Sequence, residues 1–263
     1  MSGTRAEGEF KMTTPSTASR GLLLLLVTLM TGPAWGGDFN ATVSAGSDYI
    51  FRSESQTNHR PALQGSLEYD AADGLYGGVF ASNVSWVRDA RPPGMDVRNG
   101  IEIDAWGGFR HDLGTGFSYD LGVYHYAYPG RYPAHDYALP DTSEAYAQLA
   151  WHGLSVRYWY AFSNWFGMAG SAGSGYVDLN ETWSFARTWM LSGHLGHQSV
   201  AGYRGAASFT DWKLGLGHQF RHAWLLSLAW SRGNGRRTWY SNDQGRLITR
   251  GALVATLSKS FGF

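Results

Sequence analysis

The chain has 263 residues, enough for one large domain or two small ones, and its lack of cysteine excludes disulfides and thiolate chemistry. Its 21 basic and 21 acidic residues balance, so charge gives no indication of a nucleic-acid partner. The composition combines 35 Gly and 15% aromatic residues with only 16% charged residues. This mixture is typical of a membrane β-barrel, although a soluble β-sandwich remains the alternative at this point.

Residues 1–36 are predicted to be a cleaved signal peptide. Arg20 precedes an apolar run at 21–30, and the small residues Ala34 and Gly36 occupy the positions that a signal peptidase reads. The run is about half of the ~20 residues that a spanning helix needs, which leaves anchoring by this segment as the alternative. Met12 is an alternative start. The predicted organisation is a signal peptide at 1–36 followed by one barrel domain at 37–263.

Twelve segments with alternating hydrophobicity follow, and most have the ~9–11 residues of a tilted membrane-crossing strand. Predicted strands occupy 40–53, 62–70, 75–86, 99–110, 116–127, 143–151, 153–163, 174–185, 188–198, 209–220, 223–232 and 250–261. In the tenth, Trp212 and Leu214 fall on one face, and Lys213 and Gly215 on the other. Large apolar residues therefore share one face, whereas charges and glycines share the other.

The predicted connections alternate between long and short along the whole chain. The first, at 54–61, is long, the second, at 71–74, is short, and the order continues to a long last connection at 233–249. An up-and-down outer-membrane barrel has this pattern, with tight periplasmic turns and longer external loops. Because hydrocarbon offers backbone amides no partner, such a sheet must close. We therefore predict a transmembrane antiparallel barrel of about 12 strands, surrounded by outer-membrane lipid.

The carboxyl end supports this interpretation. Leu253, Leu257, Phe261 and Phe263 lie on one face of the last predicted strand, interrupted by Lys259. An aromatic final residue on such a strand resembles a barrel-sorting signal, which predicts the barrel-assembly machinery as a partner.

A stretch near the amino end resembles the TorF family of predicted porins, also known as the Gcw_chp proteins of unknown function. The matching residues are Tyr49, Phe51, Arg52, Ser55, Gln56, Thr57, Pro61, Ala62, Gln64, Gly65, Ala81, Ser82 and Asn83. The chain departs from the family pattern at Ser53 and Glu54, where Gly and a hydrophobic residue are usual. The resemblance implies an outer-membrane barrel with a porin function, and it implies no established substrate or site residue.

The polar faces of the predicted strands supply candidate pore-lining residues, which would set selectivity through lumen charge. They are Arg52, Glu68, Glu102, Asp104, Arg110, Asp120, Glu144, Arg157 and Lys213. Neutralising the acids Glu102, Asp104 and Asp120 is expected to weaken cation preference. Two questions stay open. The charges either line an open pore or plug it as buried pairs. The first loop either forms a solute-facing rim or is held to the barrel wall by hydrogen bonds.

The predicted function is a porin-like channel for passive diffusion of small polar solutes, with no cofactor and no catalytic residue. A structural or adhesive barrel that acts through its external loops is the first alternative, and a lipid hydrolase is the second. The hydrolase alternative depends on His197 and Ser199, whose spacing places both side chains on one strand face. No metal site is predicted, because His194 and His197 face opposite ways on a strand.

Overall fold

The computed structural model describes residues 37–91, 94–133 and 138–263, so the predicted signal peptide lies outside the described residues. Twelve antiparallel strands form a closed barrel in which each strand pairs with its neighbours along the chain and the last pairs with the first. The strands are β1 (Gly37–Gly46), β2 (Ile50–Phe51), β3 (Glu54–Ser55), β4 (Ala62–Ala71), β5 (Leu75–Asn83), β6 (Arg98–Asn99), β7 (Ile101–Gly114), β8 (Phe117–Ala127), β9 (Gly130–Arg131), β10 (Thr142–Trp151), β11 (Leu154–Ala161), β12 (Gly175–Phe185), β13 (Trp189–Ser199), β14 (Phe209–Gln219), β15 (Trp224–Gly233) and β16 (Ala252–Gly262).

Four of these strands, β2, β3, β6 and β9, are two-residue pairings within the loops rather than parts of the barrel. Two short α-helices, Trp86–Asp89 and Arg237–Tyr240, also lie in loops. No helix in the part of the chain that the structure describes is long and apolar enough to cross a membrane.

The predicted strand number is confirmed. β5 ends at Asn83 rather than 86 and β7 runs to Gly114 rather than 110, and one predicted boundary is wrong by more than four residues. The first predicted strand ran to residue 53, but β1 ends at Gly46. Beyond it, Arg52 and Ser53 adopt left-handed backbone angles, with φ of 45° and 61°. These angles form the turn between β2 and β3. Because the chain already bends at 47–48, residues 49–51 continue the alternating sequence without continuing β1.

The outward face of the barrel is apolar, as predicted. Leu214 is 59% exposed and Leu63 64% exposed, while their sequence neighbours point into the barrel. Leaving apolar surface in water costs about 25 cal/mol per Å², and hydrocarbon removes that cost. Aromatic rings gather near the short-turn rim, where Phe117 and Trp151 lie 5.9 Å apart between ring centroids, as expected at a membrane interface. The protein is therefore an outer-membrane barrel.

Long and short connections alternate in the structure as the sequence predicts. Short turns such as 72–74 and 115–116 join the strands at one rim, and Gly74 and Gly116 there have φ of 94° and 82°. Six long loops have their described residues at the other rim. They are the first loop (47–61), second loop (84–91 and 94–100), third loop (128–133 and 138–141), fourth loop (162–174), fifth loop (200–208) and sixth loop (234–251). The start of β1 and the end of β16 both lie at the short-turn rim, since the two strands are antiparallel neighbours.

The long loops pack on one another rather than extending separately. One buried cluster joins the fourth, fifth and sixth loops through Trp165, Val200 and Tyr240. A second joins the second and third loops through Val87 and Tyr128. The buried apolar side chains of the molecule thus concentrate at the external end, above the membrane-spanning sheet.

Candidate functional site

The first loop folds into the barrel around the carboxylate of Asp48. That carboxylate accepts hydrogen bonds from Ser55 Oγ at 2.7 Å and Thr57 Oγ1 at 2.8 Å. It also lies 2.7 Å from His59 Nδ1. Ser55 and Thr57 of the Ser-Gln-Thr motif therefore close a tight turn through hydrogen bonds to Asp48, a residue that was not among the predicted site residues. An Asp just after a strand, followed by hydroxyl residues, is the signal that marks such a turn.

Arg52 fixes the tip of the first loop to the inner wall. Its guanidinium donates to the two carboxylate oxygens of Glu144 at 3.0 and 2.6 Å, and to Gln198 Oε1 at 3.0 Å. The Arg52 and Glu144 side chains are only 4% and 1% exposed. Burial alone would lower the pKa of Arg52, but the Glu144 carboxylate raises it above its ordinary value, so the cation persists. The guanidinium also lies 4.3 Å from the centroid of the Tyr176 ring.

Two predicted acids lie beneath the loops rather than in an open lumen. Glu102 accepts a hydrogen bond from the Tyr128 hydroxyl at 2.7 Å, and Asp104 accepts one from the Tyr124 hydroxyl at 3.0 Å. The two residues are 2% and 1% exposed. A role for them in conduction stays a prediction.

The predicted charges nearer the short turns form ion pairs along one wall. Arg110 lies 3.0 Å from Glu68, and Arg157 lies 3.5 Å from Asp120. Glu68 also accepts a hydrogen bond from Trp106 at 2.6 Å. Through β4 to β12, acids, arginines and aromatic rings therefore occupy the inner face, and most of their polar groups contact one another.

The opposite wall is built from small side chains. Its inward positions on β13 to β16 and β1 include Ser192, Gly215, Gly217, Ser227, Ala229, Thr256, Ser258, Thr42 and Ser44. Such residues leave space that the aromatic wall does not. The barrel interior is thus asymmetric, with polar pairs on one side and room for water on the other.

A chamber of about 250 Å³ lies against the inner end of the first loop, and Arg52, Trp159, Tyr176, His194 and Lys213 are among its lining residues. Lys213 is exposed, and no described carboxylate lies within ion-pair distance of its ammonium group. The other predicted basic pore residues, Arg52, Arg110 and Arg157, each lie in an ion pair, so Lys213 differs from them.

A hydrogen-bonded group that sequence reasoning missed lines the same chamber. His194 Nε2 lies 2.7 Å from Asp211 Oδ1, and His194 Nδ1 lies 2.8 Å from Asn180 Oδ1. The Tyr176 hydroxyl donates to Asp211 at 3.1 Å. Strand alternation places these residues inward, but nothing local in the sequence shows that three strands bring them together. In the described residues, no three His, Cys, Asp or Glu side chains form a group that could hold a metal.

The His197 and Ser199 side chains lie on the outer face, as their spacing predicted. The His197 ring, however, pairs with the neighbouring strand, with Nδ1 2.9 Å from Thr210 Oγ1. This contact gives no support to a nucleophile–base pair with Ser199.

Comparison with known proteins agrees with this architecture. The model of the Gcw_chp family, described as a bacterial protein of unknown function, matches residues 30–261. No curated protein matches the chain. Among solved structures, the KdgM porin superposes with a TM-score of 0.51 at 9% identity, covering 86% of this chain and 99% of that chain.

Two further solved structures are similar over comparable lengths. The NanC porin has a TM-score of 0.49 at 10% identity and covers 85% of this chain and 98% of its own. An outer-membrane channel from Pseudomonas putida F1 has a TM-score of 0.47 at 13% identity, with coverage of 88% and 97%. At such low identity, the likeness to KdgM concerns the fold alone.

Proposed function

We propose that this chain, which belongs to the Gcw_chp family of bacterial proteins, is a porin-like outer-membrane channel for passive diffusion of small polar solutes. The observation that carries the proposal is the chamber of about 250 Å³ inside the barrel, beside the wall of small residues. A barrel whose only task was structural would gain stability by filling that space with side chains.

The first loop makes the channel narrow. Arg52 reaches across to Glu144 and Gln198, on β10 and β13, so the loop occupies the external half of the interior. Ser53 Oγ also lies 2.8 Å from Ser231 Oγ on β15. A solute would pass beside the loop along the small-residue wall, which limits passage to small molecules.

Lys213 determines the preferred charge in this proposal. Its ammonium group faces the chamber without a described ion-pair partner. Asp178 and Asp211 line the same chamber and keep their negative charge while they accept hydrogen bonds from Trp159 and Tyr176. The Lys213 charge would offset the attraction of these carboxylates for cations in a confined space. The channel is therefore expected to favour small zwitterionic polar solutes.

The test is the conductance of refolded protein in a planar bilayer. We expect discrete, small open-channel steps whose reversal potential in a KCl gradient shows only weak ion selectivity. The Lys213→Gln variant should shift that potential toward cations. Lys259→Gln is the matched control, because the Lys259 ammonium donates to the His222 carbonyl oxygen at the short-turn rim, away from the chamber.

A silent bilayer with correctly folded barrel, shown by heat-dependent mobility in gel electrophoresis, would contradict the channel. Equal reversal potentials for the wild type and Lys213→Gln would leave the channel in place but remove Lys213 as the charge that sets its preference.

A further inference from the structure

A second cavity, of about 200 Å³, opens among the long loops at the external end of the barrel. Residues of the first, second, fourth and sixth loops line it. The cavity is separate from the charged wall of the lumen, so the channel proposal does not explain it.

The walls of this cavity are strongly aromatic. The rings that line it are those of Phe51, Trp86, Trp165, Phe166, Trp239 and Tyr240. Several pack edge to face, with centroids of Phe51 and Phe166 at 5.7 Å and of Trp165 and Phe166 at 5.3 Å. Edge-to-face packing holds ring orientations fixed, so the wall is preorganised.

The charged residues among the lining are both acids, Glu54 and Asp89, and no described Lys, Arg or His joins them. Asp89 already has partners, because Ser85 Oγ donates to it at 2.7 Å and Arg88 Nε lies 3.5 Å away. The Glu54 carboxylate has no hydrogen-bond or ion-pair partner among the described residues. A half-buried carboxylate without a partner is costly, and a bound cation would remove that cost.

Burial raises the pKa of Glu54 to about 8, with Arg52 opposing the rise and Asp211 adding to it. Asp89 on the second loop and Tyr240 on the sixth loop are the other titratable groups of the cavity wall. Burial raises the pKa of Tyr240 above its ordinary value, so this hydroxyl stays neutral around pH 8. Glu54 is therefore a group whose charge changes near neutral pH.

We propose that this cavity binds a small organic cation, such as a quaternary ammonium, alkylammonium or guanidinium ion. Aromatic faces attract such cations through their quadrupoles, and the free carboxylate supplies the counter-charge. At ~30 Å³ for each water-sized group, the cavity accommodates about seven non-hydrogen atoms. A bare metal ion is disfavoured, because Ca²⁺ takes about six to eight oxygen ligands and the wall is mostly rings.

Titration of the refolded protein in detergent with tetramethylammonium chloride tests the proposal. Ionic strength is held constant with NaCl, and binding is followed by tryptophan fluorescence at pH 9. We expect saturable binding that tert-butanol, a neutral molecule of similar size, does not reproduce. Glu54→Gln should weaken binding about tenfold or more, because it removes a charged partner. Asp96→Asn, which neutralises an exposed acid of the second loop outside the cavity, should leave binding unchanged.

The pH profile provides a second readout on the wild-type protein. Binding requires ionised Glu54, so affinity should fall about 100-fold between pH 9 and pH 6 if the pKa is about 8. In Glu54→Gln the profile should be flat. If that variant does not fold, Trp239→Ala replaces it, because Trp239 is 42% exposed and its truncation should spare the fold while weakening binding.

Three results would overturn the assignment. They are no saturable binding of tetramethylammonium to folded protein at pH 9, equal binding of tert-butanol, and unchanged affinity in Glu54→Gln. A neutral ligand bound with no pH dependence would identify an apolar pocket instead of a cation site.

Discussion

Replacing Arg52 by methionine should release the first loop from the inner wall. Methionine keeps an unbranched apolar stem but loses the hydrogen bonds to Glu144 and Gln198. Glu144 would then remain 1% exposed with its cationic partner gone. A nearly buried carboxylate without a counter-charge disfavours the closed arrangement of the loop.

The size of the effect follows from this burial. Removing one member of a buried ion pair costs about 3–5 kcal/mol. Since about 1.4 kcal/mol is tenfold in an equilibrium, the ratio of closed to open loop should fall roughly 10²- to 4 × 10³-fold. The barrel should stay folded, because its strand ladders do not include Arg52.

Hydrogen exchange of first-loop amides measures this opening directly. Ser55 N donates to Ile248 O of the sixth loop at 3.1 Å, so this amide is protected only when the first loop is closed. Gln56 N donates to Tyr49 O at 2.8 Å within the first loop, so it serves as an internal reference. Protection of the Ser55 amide should fall roughly 10²- to 4 × 10³-fold in Arg52→Met, in line with the ratio above, while β14 amides keep theirs.

The double variant Arg52→Met with Glu144→Gln tests the cause. It removes the orphaned charge, so it should recover a large part of the lost protection. Protection in Arg52→Met equal to that of the wild type would refute the anchoring role. A double variant as unprotected as the single one would refute the argument from buried charge.

Two further predictions concern the barrel wall. Leu228→Arg places a charge in the outer apolar band and should destabilise the protein by about 2–4 kcal/mol in lipid bilayers. Ser227→Arg places the same charge on the inner face and should destabilise it much less. Urea unfolding in liposomes compares the free energies of unfolding of the two variants. Gly196→Ala should destabilise by about 1–3 kcal/mol, because a Cβ there overlaps the buried Tyr176 hydroxyl. The same unfolding assay should show almost no loss for Gly193→Ala, whose Cβ meets nothing within 4 Å. Equal stabilities within either pair would contradict the corresponding argument.

The strands could be predicted from the sequence because lipid and lumen impose opposite requirements on adjacent residues. The eleventh barrel strand, predicted at 223–232, is Trp224–Gly233 in the structure. The first strand was extended too far, because Tyr49–Phe51 keeps the alternation while Asp48 has already turned the chain. That turn depends on side-chain hydrogen bonds, which hydrophobicity does not reveal.

Alternation could also assign a face to each charged residue, but it could not assign partners. Arg110 and Glu68 lie on strands separated by β5, so their ion pair exists only once the sheet curves. Arg52 and Glu144 are 92 positions apart, and no local pattern links them. The sequence left open whether Glu102 and Asp104 line an open pore or are buried, because alternation does not show contacts such as that between Glu102 and Tyr128, 26 positions along the chain.

The pairing of β1 with β16 sets the order in which the molecule can be assembled. Asn40 of β1 pairs with Gly262 of β16. β1 therefore lacks one of its two neighbouring strands until almost the whole chain has been synthesised. The partners of Arg52 lie 92 and 146 positions downstream, so the inner constriction can form only after most of the wall exists. Contacts of such long sequence separation form slowly. A nascent barrel would accordingly pass through a wide, unobstructed stage before its interior narrows.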